Sequence, residues 1–328
     1  MILLLKPPKI RTATVFNEEK EQSKGMVINS FDELISGLRK SGPKTIAVAV
    51  AHDRDVLQSV EMAREKGIAN SILVGDKEAI KKIADGCKID LNNFEIVDKP
   101  VIEEACATAV SLVRSGDALL PMKGFVDTSV ILKAVLNKEN GLNVGGLISH
   151  ISVFKPSGYD RMMLLTDSAM NIAPNCADKA KIIDNAVKVA NALGMARPIV
   201  AVVCAVEKVN PKMQATLDAE ELVKMNESGA ISGCSVVGPL GLDNAVSVEA
   251  AVHKGIKHPD AGKADILLMP DIEAGNILTK AIDFFAHAEK GGLIMGAGCP
   301  IILTSRASSD VIKLNSIALG LLAAEKGV

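Results

Sequence analysis

From residue 45 onward, short apolar runs alternate with segments of helical periodicity. The runs have the length of buried strands, and the segments between them have the length of helices. The predicted strands and helices of this stretch alternate at 45–51, 55–66, 71–75, 77–84, 94–97, 101–114, 118–122 and 128–137. Such alternation predicts an α/β fold, in which helices cover both faces of a mainly parallel sheet.

The alternation breaks near Gly145. Apolar runs at 147–154 and 162–166 flank a turn-forming segment at 155–160, which predicts an antiparallel hairpin. The strand–helix pattern then resumes, with strands near 199–204, 233–237 and 265–269 and helices near 178–193, 213–227 and 248–254. A second α/β domain is the simplest account of this resumption.

The two ends of the chain are less regular. Two strands at 292–295 and 300–304 and a helix at 309–325 close the sequence, and the pattern leaves open which sheet receives them. At the start, residues 1–25 offer little to bury and are interpreted as a loosely attached extension, whereas Ser30 is predicted to cap an amphipathic helix. A chain of 328 residues with 48% hydrophobic residues is long enough for two domains.

Composition limits the classes of partner. The formal net charge is −2, so no overall positive field attracts nucleic acid or an acidic membrane surface. The six cysteines are scattered without a metal-ligand spacing, which is typical of reduced thiols in a cytoplasm and predicts no metal site. The apolar run at 1–5 is too short for a signal sequence or a membrane span. These features predict a cytoplasmic protein that binds anions only locally.

Ligands of open α/β sheets bind beyond the carboxyl ends of strands, where helix N-termini present free N–H groups. The first junction of this kind follows the predicted strand at 118–122, where Lys123 precedes Asp127 and Thr128 at a helix start. This combination suits an anionic group. An ordinary helix cap with a solvated lysine is the alternative.

The second junction leaves the hairpin with Asp167 and Asn171 in apolar surroundings. Buried polar groups need partners, which here are either a substrate or nearby backbone N–H groups in a turn.

The third junction follows the predicted strand at 265–269. Two carboxylates, Asp271 and Glu273, precede Gly275, which indicates a close backbone approach, and Asn276, which is predicted to cap the next helix. A polar loop without a ligand is the alternative.

The fourth junction carries Thr304, Ser305 and Arg306 from a strand end toward a helix start. Arg306 matches a planar, bidentate clamp for phosphate or carboxylate. The alternative is a surface pair with Asp310, whose charge also complements the helix dipole.

Several common motifs are missing from the sequence: no G-x-G-x-x-G follows a strand, and neither G-x-x-x-x-G-K-[ST] nor G-x-S-x-G occurs. This disfavours dinucleotide dehydrogenases, P-loop enzymes and α/β-hydrolases. His52 and His150 remain conceivable acid–base groups, although a structural role is favoured for each.

At these junctions the sequence resembles the phosphate acetyl/butyryltransferase family. The resemblance runs from about residue 46 to the C-terminus. It is carried by the order and spacing of the segments 167–171, 238–244, 270–276 and 304–306. The segments 122–128, 258–265 and 313–318 resemble the butyryl branch more than the acetyl branch.

The resemblance implies a fold similar to isocitrate and isopropylmalate dehydrogenases, with two α/β domains and a cleft between them. The first domain is expected at 26–146 and 293–328, and the second at 147–292. A homodimer is also implied.

The implied reaction is reversible: acyl-CoA and phosphate give acyl phosphate and CoA, by direct transfer in a ternary complex without a cofactor. In the acetyl branch a serine–arginine pair carries much of the chemistry, and it matches Ser305 and Arg306. Arg306 would hold the phosphoryl oxygens, while Ser305 would donate a hydrogen bond to the CoA sulfur or the developing oxyanion.

The general base is in doubt, because the acetyl branch has an aspartate six residues after the arginine, where this sequence has Ile312. Asp310 is the nearest acid, and Asp271 or the bound phosphate are alternatives. The predicted catalytic residues are Ser305, Arg306 and Asp310. The predicted substrate-binding residues are Lys123, Thr128, Asp167, Asn171, Asp271, Glu273, Gly275, Asn276 and Thr304.

Two other functions stay open. Asp167, Asp271 and Glu273 also suit a metal-dependent decarboxylating dehydrogenase, and the missing aspartate permits a catalytically silent acyl-CoA-binding protein. The acyl chain is undetermined, since acetyl, butyryl, isobutyryl and isovaleryl groups differ by only a few methylenes.

Overall fold

The computed structural model describes residues 27–328, so the predicted extension at 1–25 lies outside the described residues. The first helix, α1, spans Phe31–Ser41 and buries Phe31, Leu34 and Leu38. Its N-cap is Ser30, whose side chain accepts a hydrogen bond from the backbone N–H of Glu33 at 3.1 Å. The cap that the sequence predicts is therefore confirmed.

Strands and helices alternate through most of the chain. The strands are β1 (Lys44–Ala49), β2 (Ala69–Gly75), β3 (Glu95–Asp98), β4 (Leu120–Lys123), β5 (Ser149–Lys155), β6 (Met163–Thr166), β7 (Ile199–Val203), β8 (Ser235–Leu240), β9 (Ile266–Leu268), β10 (Glu289–Met295) and β11 (Ile301–Ile302). The remaining helices are α2 (Arg54–Glu65), α3 (Lys77–Cys87), α4 (Ile102–Ser115), α5 (Thr128–Val135), α6 (Cys176–Ala192), α7 (Gln214–Glu227), α8 (Leu242–Val246), α9 (Val248–His253), α10 (Ile272–Phe284) and α11 (Asp310–Glu325). The predicted α/β class is confirmed.

All eleven strands belong to one sheet, in the order β3-β2-β1-β4-β11-β10-β5-β6-β9-β7-β8. The predicted hairpin is present, with β5 antiparallel to β6 and Ser152 opposite Leu165. β10 joins the two halves of the sheet, because it pairs antiparallel with both β5 and β11. β11 lies beside β4 in the first half, which answers the question that the sequence pattern left open.

These pairings reverse the strand direction between the two halves. β4 and β11 run parallel to each other, while β6 and β9 run in the opposite direction, because three antiparallel pairings separate the two pairs. The carboxyl ends of β4 and β11 therefore lie at one edge of the sheet, and those of β6 and β9 lie at the other. The four polar junctions of the sequence are split between two edges.

The hydrophobic core is continuous on one face of the sheet. Val48, Ile151 and Leu268, from the first half, the centre and the second half, belong to a single buried cluster. Helices α1, α2, α3, α6, α7 and α11 contribute the side chains that cover this face.

On the opposite face the core is divided into two clusters. One packs α4 and α5 against the first half and includes Ile131 and Ile301; the other packs α10 against the second half and includes Phe154 and Leu278. Ser152 of β5 and its neighbour Gly292 of β10 belong to neither cluster. A cleft thus opens over the middle of the sheet, between α5 and α10.

No helix within residues 27–328 has both the length and the apolar character needed to cross a bilayer.

Candidate active site

A pocket of about 260 Å³ lies in the cleft, above β10 and β5. Glycines 291 and 292 of β10 form part of its floor, so the middle of the sheet has no side chains there to fill the space. Four of the predicted site residues line it: Thr128, Asn276, Thr304 and Ser305. The pocket is thus built from both halves of the sheet.

The first half of the sheet contributes the turn that connects β11 to α11. Thr304 is buried, while Ser305 is exposed at the pocket and accepts a hydrogen bond from the backbone N–H of Ala307 at 3.3 Å. The Ser308 N–H donates to the Ser305 carbonyl at 3.0 Å, which closes the turn. The turn is also held from inside the protein, because the buried Lys313 ammonium donates to the Ser308 carbonyl.

Arg306 lies at the rim of the pocket rather than inside it. A guanidinium nitrogen is 3.2 Å from a carboxylate oxygen of Asp127, with 58% of the arginine side chain and 65% of the aspartate side chain exposed. Asp127 occupies the N-cap position of α5 without making a side-chain capping bond. An exposed pair of this kind contributes little stability, so both groups are free to exchange partners. The predicted alternative partner of Arg306, Asp310, is not its partner in the structure.

Lys123 ends β4 with only 4% of its surface exposed. Its ammonium donates to the carbonyl of Gly124 at 3.3 Å. Burial, together with the positive charges of Arg306 and Lys313, lowers the pKa of Lys123 to about 8 against the opposing effect of Asp127 and Asp53. Three cationic side chains therefore share the edge of the sheet where β4 and β11 end, which favours an anion there.

The second half contributes α10 and the end of β6. Thr279 is 8% exposed, and its hydroxyl oxygen has no hydrogen-bond partner among the described residues although it lines the pocket. The side-chain amide of Asn276 donates to the carbonyl of Ser168 at 3.2 Å. Lys280 and Lys290 also line the pocket, and both lie near the carboxylate of Asp283.

The chain is similar to known proteins over most of its length. A family model described as phosphate acetyl/butaryl transferase matches residues 30–105 and 98–321. The phosphate butyryltransferase of Clostridium beijerinckii is 50% identical over 90% of this chain and 98% of its own length. The chain belongs to this transferase family. The phosphate acetyltransferase of Thermotoga maritima is 42% identical over 88% of this chain and 97% of its own length.

A solved structure has a similar overall fold to this chain. The branched-chain phosphotransacylase of Enterococcus faecalis superposes with a TM-score of 0.76 at 33% identity, over 86% of this chain and 99% of that chain. This phosphate acetyl/butyryltransferase chain therefore has the large mixed α/β sheet of a phosphotransacylase.

Two of the family segments lie mainly beside the pocket rather than in its wall. The carboxylate of Asp167 accepts hydrogen bonds from the backbone N–H groups of Ala169, Met170 and Asn171, and from the Asn171 amide at 2.6 Å. Asn171 also donates to the carbonyl of Ile148 at 2.9 Å. Asp167 and Asn171 therefore form a hydrogen-bonded turn. Such a turn is the alternative to substrate binding that the sequence left open.

The segment at 270–276 differs from the prediction. Asp271, not Asn276, caps α10, with its carboxylate accepting from the Ala274 N–H at 2.8 Å; Asn276 lies inside the helix. A Cβ on Gly275 would lie 2.3 Å from the Asp167 carbonyl oxygen, so this glycine brings α10 against the backbone of the β6 turn. Glu273 is exposed and does not line the pocket. Among the described residues no group of three His, Cys, Asp or Glu side chains is arranged to hold a metal.

Several pocket residues were missed by the sequence analysis. They are Ser152, Ser168, Thr279, Lys280 and Lys290. The adjacent glycines at 291 and 292, within an apolar strand pattern, were the signal available, because glycine in a strand indicates a close approach by another group. The sequence favoured a structural role for His150 over an acid–base role, whereas the structure places its ring in the pocket wall.

A larger groove of about 990 Å³ lies at the edge of the sheet where β4 and β11 begin, and Cys299 is part of its lining. None of the predicted site residues lines this groove. The smaller pocket is therefore the candidate active site.

Proposed function

We propose that the protein transfers a short acyl group reversibly between CoA and inorganic phosphate, with butyryl or branched-chain acyl groups preferred. The observation that carries this proposal is the Thr304–Ser305 turn, which presents hydroxyl groups to a small cleft pocket beside the Arg306 guanidinium. Relatives named phosphate butyryltransferase and branched-chain phosphotransacylase support the acyl preference. Phosphate acetyltransferase activity is the alternative, since an enzyme of that name is 42% identical.

The phosphate is proposed to bind at the rim, near Arg306 and Lys123. Arg306 would exchange the exposed carboxylate of Asp127 for two phosphoryl oxygens, and a planar guanidinium is suited to this geometry. Lys123 is buried close enough to Arg306 for their charges to interact unfavourably, which an anion between them would offset. Ser305 would donate a hydrogen bond to the oxyanion or to the CoA sulfur.

The acyl group is proposed to occupy the inner part of the pocket. Leu303, Ile312 and Ala169 supply apolar surface there. Thr279 also lines the pocket, although its hydroxyl oxygen is buried and has no partner among the described residues. The volume of about 260 Å³ lies below the range of roughly 300–1,000 Å³ typical of drug-sized ligands, so the body of CoA would lie outside, along the cleft.

We propose direct transfer without an acyl-enzyme or a further cofactor. None of the six cysteines lines the pocket, and burial raises the pKa of Cys106, Cys204 and Cys234 to about 11. Thiols of this kind stay protonated near neutral pH and are poor nucleophiles. The reaction would therefore proceed in a complex that holds both substrates.

Three further features are part of the proposal. The chain would form two lobes on either side of the cleft, at 26–146 with 293–328 and at 147–292, as in isocitrate dehydrogenase-like folds. It would act in the cytoplasm. It would form a homodimer, and the apolar side chains of Ile277, Phe284 and Phe285, which are exposed on and just after α10, are candidates for the contact.

A chain-length series tests the function. Purified protein is given acetyl-, butyryl-, isobutyryl- and isovaleryl-CoA with phosphate, and thiol release is followed to obtain kcat/KM for each. We expect turnover with all four and the highest kcat/KM with a four- or five-carbon acyl group. Highest activity with acetyl-CoA would favour the acetyltransferase alternative, and absence of turnover with every acyl-CoA would favour a silent acyl-CoA-binding protein.

The same samples test direct transfer. After incubation with acyl-CoA but no phosphate, the intact mass of the protein should be unchanged. A mass increase equal to the acyl group would contradict direct transfer.

A further inference from the structure

The pocket lacks an acidic side chain where the reaction needs a proton acceptor. Among the described residues that line it, the titratable side chains are His150, Lys280 and Lys290. Asp310 begins α11 and does not line the pocket; its carboxylate accepts from the Val311 N–H at 2.8 Å. Ile312 does line the pocket, at the position where the resemblance leads one to expect an acid.

His150 is fixed at one ring nitrogen and free at the other. Its Nδ1 lies 3.1 Å from the hydroxyl oxygen of Ser168. Its Nε2 has no hydrogen-bond partner among the described residues, and it is absent from the nitrogens and oxygens that are both buried and unpaired. Nε2 therefore has access to the pocket.

The backbone around His150 is arranged to leave room for the ring. The carbonyl of His150 accepts from the Thr166 hydroxyl at 3.0 Å, which fixes the start of β5 against β6. A Cβ on Gly292 would lie 2.9 Å from Nε2, so any larger residue at position 292 would press on the imidazole. Glycine at this position keeps the ring and the pocket floor in contact.

Burial favours a neutral ring. Burial lowers the pKa of His150, and the ammonium groups of Lys290 on β10 and Lys280 on α10 lower it further; Asp167, at the end of β6, has the opposite effect. An imidazole with a pKa below the usual 6.5 is unprotonated at neutral pH and is able to accept a proton.

We propose that His150 is the general base that accepts the thiol proton of CoA, and that Ser168 is its positioning residue; the proposal rests on the transacylase function proposed above. In the direction of acyl-CoA formation, the S–H proton passes to Nε2 while the sulfur attacks the acyl carbonyl carbon. The C–S bond forms, the bond from carbon to the phosphate oxygen breaks, and the imidazolium returns the proton to the departing phosphate. The reverse reaction uses the same steps backward.

The test is the pH dependence of the His150→Gln variant, which keeps a polar side chain but has no proton acceptor of suitable pKa. With butyryl phosphate and CoA, wild-type kcat/KM should fall only below about pH 6.5. The variant should lose at least about 100-fold at pH 7 and should regain activity as pH rises toward the thiol pKa near 8.5, because solvent then supplies the thiolate. Ser168→Ala should lower kcat more than it changes KM.

Matched variants separate the proposal from its alternatives. His253→Gln replaces an exposed histidine at the end of α9 and should leave the profile unchanged. His150→Asn is the second variant in case the glutamine variant unfolds, and thermal unfolding is measured for each. An equal loss at every pH, near-wild-type activity of His150→Gln, or a shifted profile in Asp310→Asn alone would overturn the role of His150. Failure of the transacylase function itself would appear differently, as absence of turnover in the wild-type protein.

Discussion

Arg306 and Asp127 form an exposed ion pair that substrate is expected to break. Arg306→Ala should therefore lower kcat/KM by at least about 100-fold, because a phosphate clamp stabilises the transition state. The unfolding temperature should change little, since the pair is exposed. Steady-state kinetics together with thermal unfolding measure the two effects.

Arg54→Ala is the matched control for this variant, because Arg54 is exposed at the start of α2. It should retain full activity. If Arg306→Ala is as active as the control, the phosphate does not bind at this rim.

Lys123 should contribute to substrate binding at the expense of stability. Its folded-state pKa of about 8 lies below the unfolded value near 10.4, so the unfolded chain binds more protons between these pH values and stability rises with pH across that window. Below pH 8 Lys123 is charged in the folded protein, so burial of its ammonium lowers the free energy of unfolding by the full amount. In phosphate-free buffer at pH 7, Lys123→Met should stabilise the protein by up to about 3 kcal/mol while weakening phosphate binding.

Urea unfolding at pH 7 and pH 10 checks the stability effect, and the KM for phosphate checks the binding effect. The gain in stability should shrink at pH 10, where wild-type Lys123 is already neutral in the folded protein. A variant that is less stable than wild type at pH 7 would show that the ammonium is well accommodated without an anion.

At the scale of single elements, the approach of α10 to the β6 turn depends on Gly275. A methyl group there would lie 2.3 Å from the Asp167 carbonyl oxygen, so Gly275→Ala should displace the helix and destabilise the protein by more than about 1 kcal/mol. Pocket residues of the same helix, Asn276 and Thr279, would move with it, and activity should fall in the folded fraction.

Gly37→Ala provides the control, since Gly37 lies in α1 and a Cβ there meets nothing within 4 Å. It should stabilise the protein by roughly 0.5–1 kcal/mol, because alanine favours the helix. Chemical denaturation of both variants makes the comparison, and equal effects would contradict the close approach of α10.

The sequence predicted well those elements whose structure depends on residues close to one another in the chain. Ser30 and its helix, and the hairpin of β5 and β6, depend on contacts close in the chain. The cap of α10 was assigned to Asn276 although Asp271 performs it, because several residues with capping side chains follow one another and local pattern does not rank them.

What sequence did not predict depends on pairings between distant parts of the chain. The reversal of strand direction at β10 separates Asp167 and Asp271 from Lys123 and Ser305, and the period of a strand contains no information about its neighbours. The ion pair between Arg306 and Asp127 and the position of the His150 ring in the pocket wall also depend on pairings between distant parts of the chain.

At the scale of the whole molecule, the apolar side chains at the end of α10 bear on assembly. Phe284 is 69% exposed and Phe285 is 85% exposed, and exposed apolar clusters commonly mark contact surfaces. If a second copy covers them, Phe284→Asp combined with Phe285→Asp should convert the dimer to a monomer. Light scattering during size-exclusion chromatography measures the mass.

The matched control is Val252→Asp, an exposed apolar residue on α9 that should leave the mass unchanged. A dimer that persists in the phenylalanine double variant would place the contact elsewhere.

The position of β11 and α11 has a consequence for how the chain is made. β11 completes the pairing of β4, and α11 supplies Leu314, Ile317 and Leu321 to the continuous core, yet both follow the strands of the second half of the sheet in the chain. Until they leave the ribosome, β4 has an open edge and the helices of the first half lack their apolar partner, which is a condition that favours aggregation of the nascent chain. Strands β1–β4 are thus synthesised early, but their half of the sheet is complete only after β11 and α11 have been made.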